Sequence, residues 1–276
     1  AFSPDGKYVA TASMDGTARI WDVRSGREVA CLDHEDTVYS VAFSPDGKRL
    51  ATASGDGTAR VWGATTGKEI ARLDHEAGVS SVAFSPDSKY LATASDDGTA
   101  RVWDAITGEE IARMSHDDWV DRVVFSPDGD RVATASRDKT ARVWETTTGE
   151  EVARVNHEGP VSSVAFSPNG KYLATASSDN TAGVWFIWPE DLIAEACSRL
   201  TRNLTYEEWQ RYLPDEPYGK TCPNLPIHPS FVEAGRELAR AGDTKGALAI
   251  FQRAEELGLE LNPEAEVQRL APAVER

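Results

Sequence analysis

The sequence has no run of basic residues and no long apolar stretch. Its 276 residues include 29 Lys and Arg against 45 Asp and Glu, a formal net charge of −16. Such a chain, without a basic stripe, is repelled by a phosphate backbone or an anionic lipid surface, so we expect neither nucleic acid nor membrane as a partner. A membrane-spanning helix needs roughly 18 or more apolar residues in succession, and no stretch approaches that length.

Cysteine is also scarce. Cys31, Cys197 and Cys222 are too few for a secreted scaffold built on disulfides. We expect three reduced, partly buried thiols, with a Cys197–Cys222 bridge as the alternative. The sequence has no phosphate-binding loop, metal-ligand cluster or unique nucleophile, so it predicts no cofactor, no metal and no catalysis.

A repeat of 41 residues runs through the first two thirds of the chain. The segment Phe-Ser-Pro-Asp-Gly, or a close variant, begins at Phe2, Phe43, Phe84, Phe125 and Phe166. Ala-Thr-Ala-Ser follows each time, and Thr-Ala-Arg-Val/Ile-Trp follows that in four copies, with Gly183 in the Arg place of the fifth. A fixed period of this length indicates a repeat architecture.

One unit predicts four short strands. In residues 37–74 the strands are 38–43, 49–54, 58–62 and 68–73, separated by the turn Ser-Pro-Asp-Gly, the hairpin pair Asp56-Gly57 and a turn at Gly67. Four strands in 41 residues are typical of a propeller blade.

These units resemble WD repeats, and Trp21-Asp22 and Trp103-Asp104 carry the dipeptide that names the family. The resemblance implies a mainly β fold, a propeller of about five four-stranded blades over residues 1–187, followed by an α-helical tail over 188–276. It also implies partner binding. Because the first copy lacks the start of its inner strand and the fifth lacks its outer strand, we expect an incomplete ring. The alternative is a small closed ring in which the tail supplies the missing strand.

The resemblance also implies a buried polar tetrad of His, Ser, Asp and Trp in each blade, a structural set in place of a catalytic triad. An enzyme needs one such set, whereas the repeat supplies four. The expected tetrads are His34, Ser54, Asp56, Trp62; His75, Ser95, Asp97, Trp103; His116, Ser136, Asp138, Trp144; and His157, Ser177, Asp179, Trp185.

Positions that vary between copies are candidates for binding a partner. They cluster in the loop after each His, at the start of the next strand, and at the residue before the hairpin Asp. The blade near Trp119 departs most from the repeat, and Trp and Arg are enriched at binding hot spots, although Trp119 as a packed loop residue is the alternative. The candidate residues are Met14, Tyr39, Asp118, Trp119, Asp121, Arg122 and Arg137.

The tail predicts helices at 189–200, from Thr205 through Leu213, at about 230–241 and 244–257, and a short one after Asn262-Pro263. Residues of about 229–258 resemble one tetratricopeptide unit. The tail as a whole is similar to segments that follow propellers in large multidomain signalling proteins of cyanobacteria and related bacteria.

We therefore expect a scaffold or sensor module that binds protein or peptide partners, in the cytoplasm and without intrinsic catalysis. The alternatives are the ligand-sensing end of a signalling ATPase or kinase, and a purely structural spacer. The exposed terminal blades also predict self-association.

Overall fold

The computed structural model describes residues 1–271. The chain divides into two compact units, one from Ala1 to Ile187 and one that begins at Trp188. The division falls where the 41-residue repeat ends.

The first unit consists of five antiparallel sheets, each with its strands in chain order. The first sheet has β1 (Tyr8–Ala12), β2 (Thr17–Asp22) and β3 (Glu28–Asp33). The second has β4 (Val38–Phe43), β5 (Arg49–Ser54), β6 (Thr58–Gly63) and β7 (Glu69–Asp74). The third has β8 (Val79–Phe84), β9 (Tyr90–Ser95), β10 (Thr99–Asp104) and β11 (Glu110–Ser115). The fourth has β12 (Val120–Phe125), β13 (Arg131–Ser136), β14 (Thr140–Glu145) and β15 (Glu151–Asn156). The fifth has β16 (Val161–Phe166), β17 (Tyr172–Ser177) and β18 (Ala182–Phe186).

The turns have the chemistry that the repeat predicts. In the second blade the buried Ser44 hydroxyl donates to Asp46 and accepts from the backbone N–H of Arg49, which closes the Ser-Pro-Asp-Gly turn. Gly57 closes the next hairpin at φ +81°, a left-handed conformation that a residue with a Cβ rarely adopts. The strand predictions are confirmed within one or two residues.

Neighbouring blades pack face to face through small and large apolar side chains. One side of each blade, which we call its forward face, presents residues such as Ala51, Ala59 and Val61. The other side, its backward face, presents large residues such as Leu91 and Trp103, and these two pack on the forward face of the blade before. The same junction recurs between the first and second blades and between the third and fourth.

Within the described residues the five sheets do not close into a ring. The first and fifth sheets have three strands each, and only Phe2 forms a bridge, to Val9, where an inner strand of the first blade would lie. The prediction of an incomplete propeller is therefore confirmed. In the part of the chain that the structure describes, no tail segment adds a strand to the fifth sheet, contrary to the alternative of a closed ring.

The second unit is helical, with α1 (Pro189–Arg199), α2 (Tyr206–Tyr212), α3 (Pro229–Arg240), α4 (Thr244–Glu256) and α5 (Pro263–Leu270). All five predicted helices are present. Thr205 and Glu208 form the predicted capping box at the start of α2. Gly235 of α3 packs against Phe251 of α4, where a Cβ would approach the ring within 2.9 Å, so these two helices pack closely at the small residue.

The expectation of three reduced thiols is wrong for two of them, because Cys197 and Cys222 form a disulfide. Sequence spacing carries no information on this pairing, which depends on the path of the loop after α2. Asn203 holds that loop: its amide accepts from the N–H of Cys222 and donates to the carbonyl groups of Leu225 and Pro226. Cys31 is a free, exposed thiol.

Candidate functional site

A buried hydrogen-bonded chain connects the repeated His, Asp and Trp in each of four blades. In the third blade, His75 Nδ1 donates to Asp97 at 2.9 Å, and His75 Nε2 lies 2.7 Å from the hydroxyl of Thr93. The indole N–H of Trp103 donates to the same hydroxyl at 2.9 Å. The edge of the imidazole also meets the Trp103 ring, with centroids 5.8 Å apart. The structure therefore joins the His, Asp and Trp that the sequence assigned to the tetrad.

The hydroxyl member is a threonine, so the predicted serines are wrong. The residues that join His to Trp are Thr52, Thr93, Thr134 and Thr175. The residues displaced from that role are Ser54, Ser95, Ser136 and Ser177.

The register of the hairpin explains this correction. Trp103 pairs with Leu91, and side chains two residues apart on a strand share a face, so Thr93 is the hydroxyl diagonal to the indole. Ser95 lies one step further, at the end of the strand. Its hydroxyl donates to the carbonyls of Ala77 and Gly78 and accepts from the N–H of Asp97. It closes the hairpin and does not touch the tryptophan.

The network extends to a threonine and an arginine that the sequence reasoning left out of the tetrad. Asp97 also accepts from the hydroxyl of Thr99 at 2.6 Å and from Arg101 Nη2 at 3.0 Å. Arg101 then reaches the carbonyl of Asp74 in the preceding blade. The recurrence of Thr-Ala-Arg in the third strand was the available signal. Arg60 and Arg142 make the same bonds in their blades, whereas Gly183 leaves the fifth blade without this guanidinium.

Burial favours the neutral form of three of the imidazoles, whereas hydrogen bonds favour the charged form of their aspartate partners. Desolvation lowers the pKa of His75 despite the opposing effect of Asp97, and the same holds for His34 and His116. Burial by itself would raise the pKa of Asp97, but hydrogen bonds from His75 and Thr99 outweigh it and hold that pKa well below its usual range. Both nitrogens of each imidazole are bonded to protein groups, so these side chains offer no free base to a substrate.

The variable positions of the repeat lie at the end of the blades where each complete inner strand has a β-bulge. The start of each inner strand pairs with the end of the second strand, as Val38 pairs with Ser54. One residue after that pair is bulged out in every complete inner strand, and bulges re-aim side chains. The bulged residues are Tyr39, Ser80, Asp121 and Ser162.

In the second and third blades these positions form a continuous surface. A Cβ on Gly55 would lie 3.0 Å from Asp36 Oδ2 and 3.4 Å from the ring of Tyr39. A Cβ on Gly78 would lie 3.4 Å from Gly55 Cα and 3.5 Å from Asp96 Oδ2. Contacts between blades therefore connect positions that are far apart in the sequence.

The fourth blade continues this surface with an ordered group of three side chains. The Arg137 guanidinium lies 4.3 Å from the centre of the Trp119 ring and 3.2 Å from both carboxylate oxygens of Asp121. Burial raises the pKa of the neighbouring Asp96, with the charges of Asp121 and Asp97 adding to the effect and Arg137 opposing it. Trp119 remains 42% exposed. We call the set the rim surface, which comprises Asp36, Tyr39, Gly55, Gly78, Asp96, Trp119, Asp121 and Arg137.

Three other residues were predicted to bind a partner, and they are not part of the Trp119–Arg137–Asp121 group. Asp118 accepts from the N–H of Trp119 and so orders the loop. Arg122 is exposed on β12, beyond the bulge. Met14 is 88% exposed in the first blade. The structure therefore brings Tyr39, Trp119, Asp121 and Arg137 into one surface.

A comparison with protein families matches the WD domain, G-beta repeat. The matched segments are residues 1–22, 26–63, 67–104, 108–145 and 149–185. The chain belongs to the WD-repeat family. A comparison with curated proteins found no match. WD repeats generally mediate protein–protein interaction and are typically not enzymes.

Among residues 1–271, no group of three or more His, Cys, Asp or Glu side chains has an arrangement able to hold a metal ion. In the same range, every helix is too short or too polar to cross a membrane.

Proposed function

We propose that this WD-repeat protein is a docking module whose rim surface binds a protein or peptide partner. The observation that carries the proposal is the Trp119–Arg137–Asp121 group. It is ordered by a cation–π contact and an ion pair, yet its aromatic ring remains accessible. Exposed Trp and Arg near the centre of a surface are the residue types that dominate binding energy.

The repeat itself supports a binding role for this place. The tetrad residues are the same in four blades, whereas the rim positions vary between blades. A cleft of about 260 Å³ beside Trp119 is lined by carboxylates that include Asp96, Asp117 and Asp118. Acidic groups around an aromatic side chain suit a partner that presents a basic residue.

A pull-down with three forms of the chain tests this proposal. The baits are the wild type, the double variant Trp119→Ala/Arg137→Ala, and the matched control Ile106→Ala. Ile106 is 64% exposed and lies in the turn after β10, outside the rim surface. We expect a partner that the wild type and the control retain and the double variant loses. If all three baits retain the same proteins with equal affinity, the rim surface is not the docking site.

The wider role is proposed on sequence resemblance. We propose that the module is the sensing or docking part of a bacterial signalling protein, with residues 229–258 as a tetratricopeptide-like pair. The close packing of α3 on α4 at Gly235 supports the second point. A purely structural spacer would show no partner in the pull-down. We also propose a cytoplasmic location, where the Cys197–Cys222 disulfide would be open to reduction.

A further inference from the structure

Helix α1 differs from the other four helices in how it is held. None of the side chains that the structure describes on it, residues 190–199, is buried, whereas α2, α3, α4 and α5 each bury at least one residue. The apolar clusters around Trp209 and Phe251 include no residue of α1 within the described part of the chain. The Cys197–Cys222 disulfide links α1 covalently to the loop after α2.

The loop that carries Cys222 has its own support. Asn203 is 1% exposed, and its side chain accepts from the backbone N–H of Cys222 and donates to the carbonyl of Leu225. Tyr218, earlier in the same loop, is buried and donates to the carbonyl of Leu204 at 2.7 Å. We therefore expect the loop to keep its path when the disulfide is broken, whereas α1 loses its link.

The disulfide lies beside a cleft in the helical unit. The cleft has a volume of about 550 Å³, and both cysteines line it together with Ile193, Pro223 and Leu225. Cys222 is only 1% exposed, whereas Cys197 is half-buried. A reagent that enters the cleft therefore finds Cys197 the more accessible of the two cysteines.

We infer that the Cys197–Cys222 bond is a thiol–disulfide exchange site whose reduction by a dithiol releases α1. A thiolate of the dithiol attacks the sulfur of Cys197, and the sulfur of Cys222 leaves as a thiolate and takes up a proton. The second thiolate of the dithiol then displaces Cys197 from the mixed disulfide, and Cys197 takes up a proton. Two electrons pass to the two cysteines, and the dithiol becomes a disulfide.

The release of α1 should unfold this helix. It has 11 residues, and an isolated helix shorter than about 12–15 residues is marginally stable in water. Exchange with an oxidised dithiol runs the reaction backwards and restores the link. The redox state of this pair therefore sets whether α1, with its exposed Leu192 and Ile193, is held at the cleft or free.

Hydrogen exchange followed by mass spectrometry tests the inference on the full chain. The protein is measured in the oxidised state and after treatment with dithiothreitol, without denaturant. The double variant Cys197→Ser/Cys222→Ser mimics the reduced state. The matched control is Cys31→Ser, because it removes the free thiol and keeps the disulfide.

We expect dithiothreitol to reduce the bond in the folded chain and to raise the exchange rate of the α1 amides at least about tenfold, with little change in α3 and α4. The double variant should show the fast exchange before any reductant is added, and Cys31→Ser should respond as the wild type does. In the reduced chain, iodoacetamide should label Cys197 at least about tenfold faster than Cys222.

Three outcomes would overturn the inference. A bond that resists dithiothreitol until urea unfolds the chain would show that the sulfur atoms are inaccessible in the folded state. Slow exchange of α1 in both the reduced chain and the double variant would show that other contacts hold this helix. An equal loss of protection in α1, α3 and α4 would show that the bond supports the whole helical unit.

Discussion

The indole nitrogen of Trp103 and the hydroxyl of Thr93 lie 2.9 Å apart on neighbouring strands of the third blade. The same hydroxyl lies 2.7 Å from His75, so one buried threonine joins two aromatic side chains. Buried polar groups that lose a partner stay unpaired, because water cannot replace it. The stability of the blade should therefore depend on this hydroxyl.

Replacing Thr93 with Val keeps the shape of the side chain and removes the hydroxyl. We expect a loss of about 1–3 kcal/mol in the free energy of unfolding, because Trp103 and His75 both lose their partner. Thr93→Ser, which retains the hydroxyl, should recover most of that loss in urea denaturation. A Thr93→Val protein as stable as the wild type would show that the bond contributes nothing.

The stability that is lost when a repeat tryptophan is replaced by alanine should depend on how deeply that tryptophan is buried. Trp103→Ala removes a side chain that is 6% exposed, and we expect it to cost about 3–5 kcal/mol. Trp185 makes the same hydrogen bond to Thr175 but is 38% exposed, so Trp185→Ala should cost clearly less. Thermal unfolding of the two variants side by side makes the comparison. Equal losses would argue against burial as the source of the effect.

Stability should fall when the pH drops below the unfolded-state pKa of histidine. Burial lowers the pKa of His34, His75 and His116 in the folded chain, while histidine in an unfolded chain titrates near about 6.5. Below that pH the unfolded state binds protons that the folded state does not. Each histidine then lowers the unfolding free energy by up to about 1.4 kcal/mol per pH unit.

Urea denaturation at pH 7.5, 6.5 and 5.5 measures this slope, and His75→Gln should reduce the slope by the contribution of about one proton.

The aspartates contribute to the free energy of unfolding over a lower pH range. Because the pKa of Asp97 is held below its usual range, its stabilisation is present above about pH 3.9 and is lost as the pH falls towards the folded-state pKa. A wild-type chain equally stable at pH 7.5 and 5.5 would contradict the histidine effect.

The disulfide should determine the number of reactive thiols and should stabilise the helical unit. Unfolded without reductant, the chain should show one reactive thiol, Cys31, and after reduction it should show three. The bond closes a loop with a sequence separation of 25, so the double variant Cys197→Ser/Cys222→Ser should lose about 3 kcal/mol of stability in that unit. Three reactive thiols before reduction would mean that the bond does not form.

Local sequence patterns predicted most of the fold. Turn residues such as Gly57 and strand alternation act over a few residues, so a single copy of the repeat predicts its four strands, and five copies predict the blades. Helix starts such as Thr205 followed by Glu208 are local signals as well. These features were readable because neighbouring residues alone determine them.

Assigning the tetrad needed one further step. Ser95 and Thr93 share a strand face and both recur in every copy, so composition and period do not separate them. The hairpin register does, since it places Trp103 opposite Leu91 and diagonal to Thr93. The register was not readable from the turn, because the Asp97-Gly98 pair predicts a two-residue loop, which would place Trp103 opposite Ala92. The observed loop between β9 and β10 has three residues, 96–98.

The sequence by itself determined the repeat period, the strands and turns of each blade, the helices of the tail and the identity of the WD-repeat family. Only the tertiary structure decided that Thr93 bridges Trp103 and His75, that Cys197 bonds Cys222, and that Arg137 covers Trp119 beside Asp121. The physical reason is the distance along the sequence over which each effect acts. Propensity and alternation act between near neighbours, whereas these contacts depend on strand register, loop paths and bulges that bring distant side chains together.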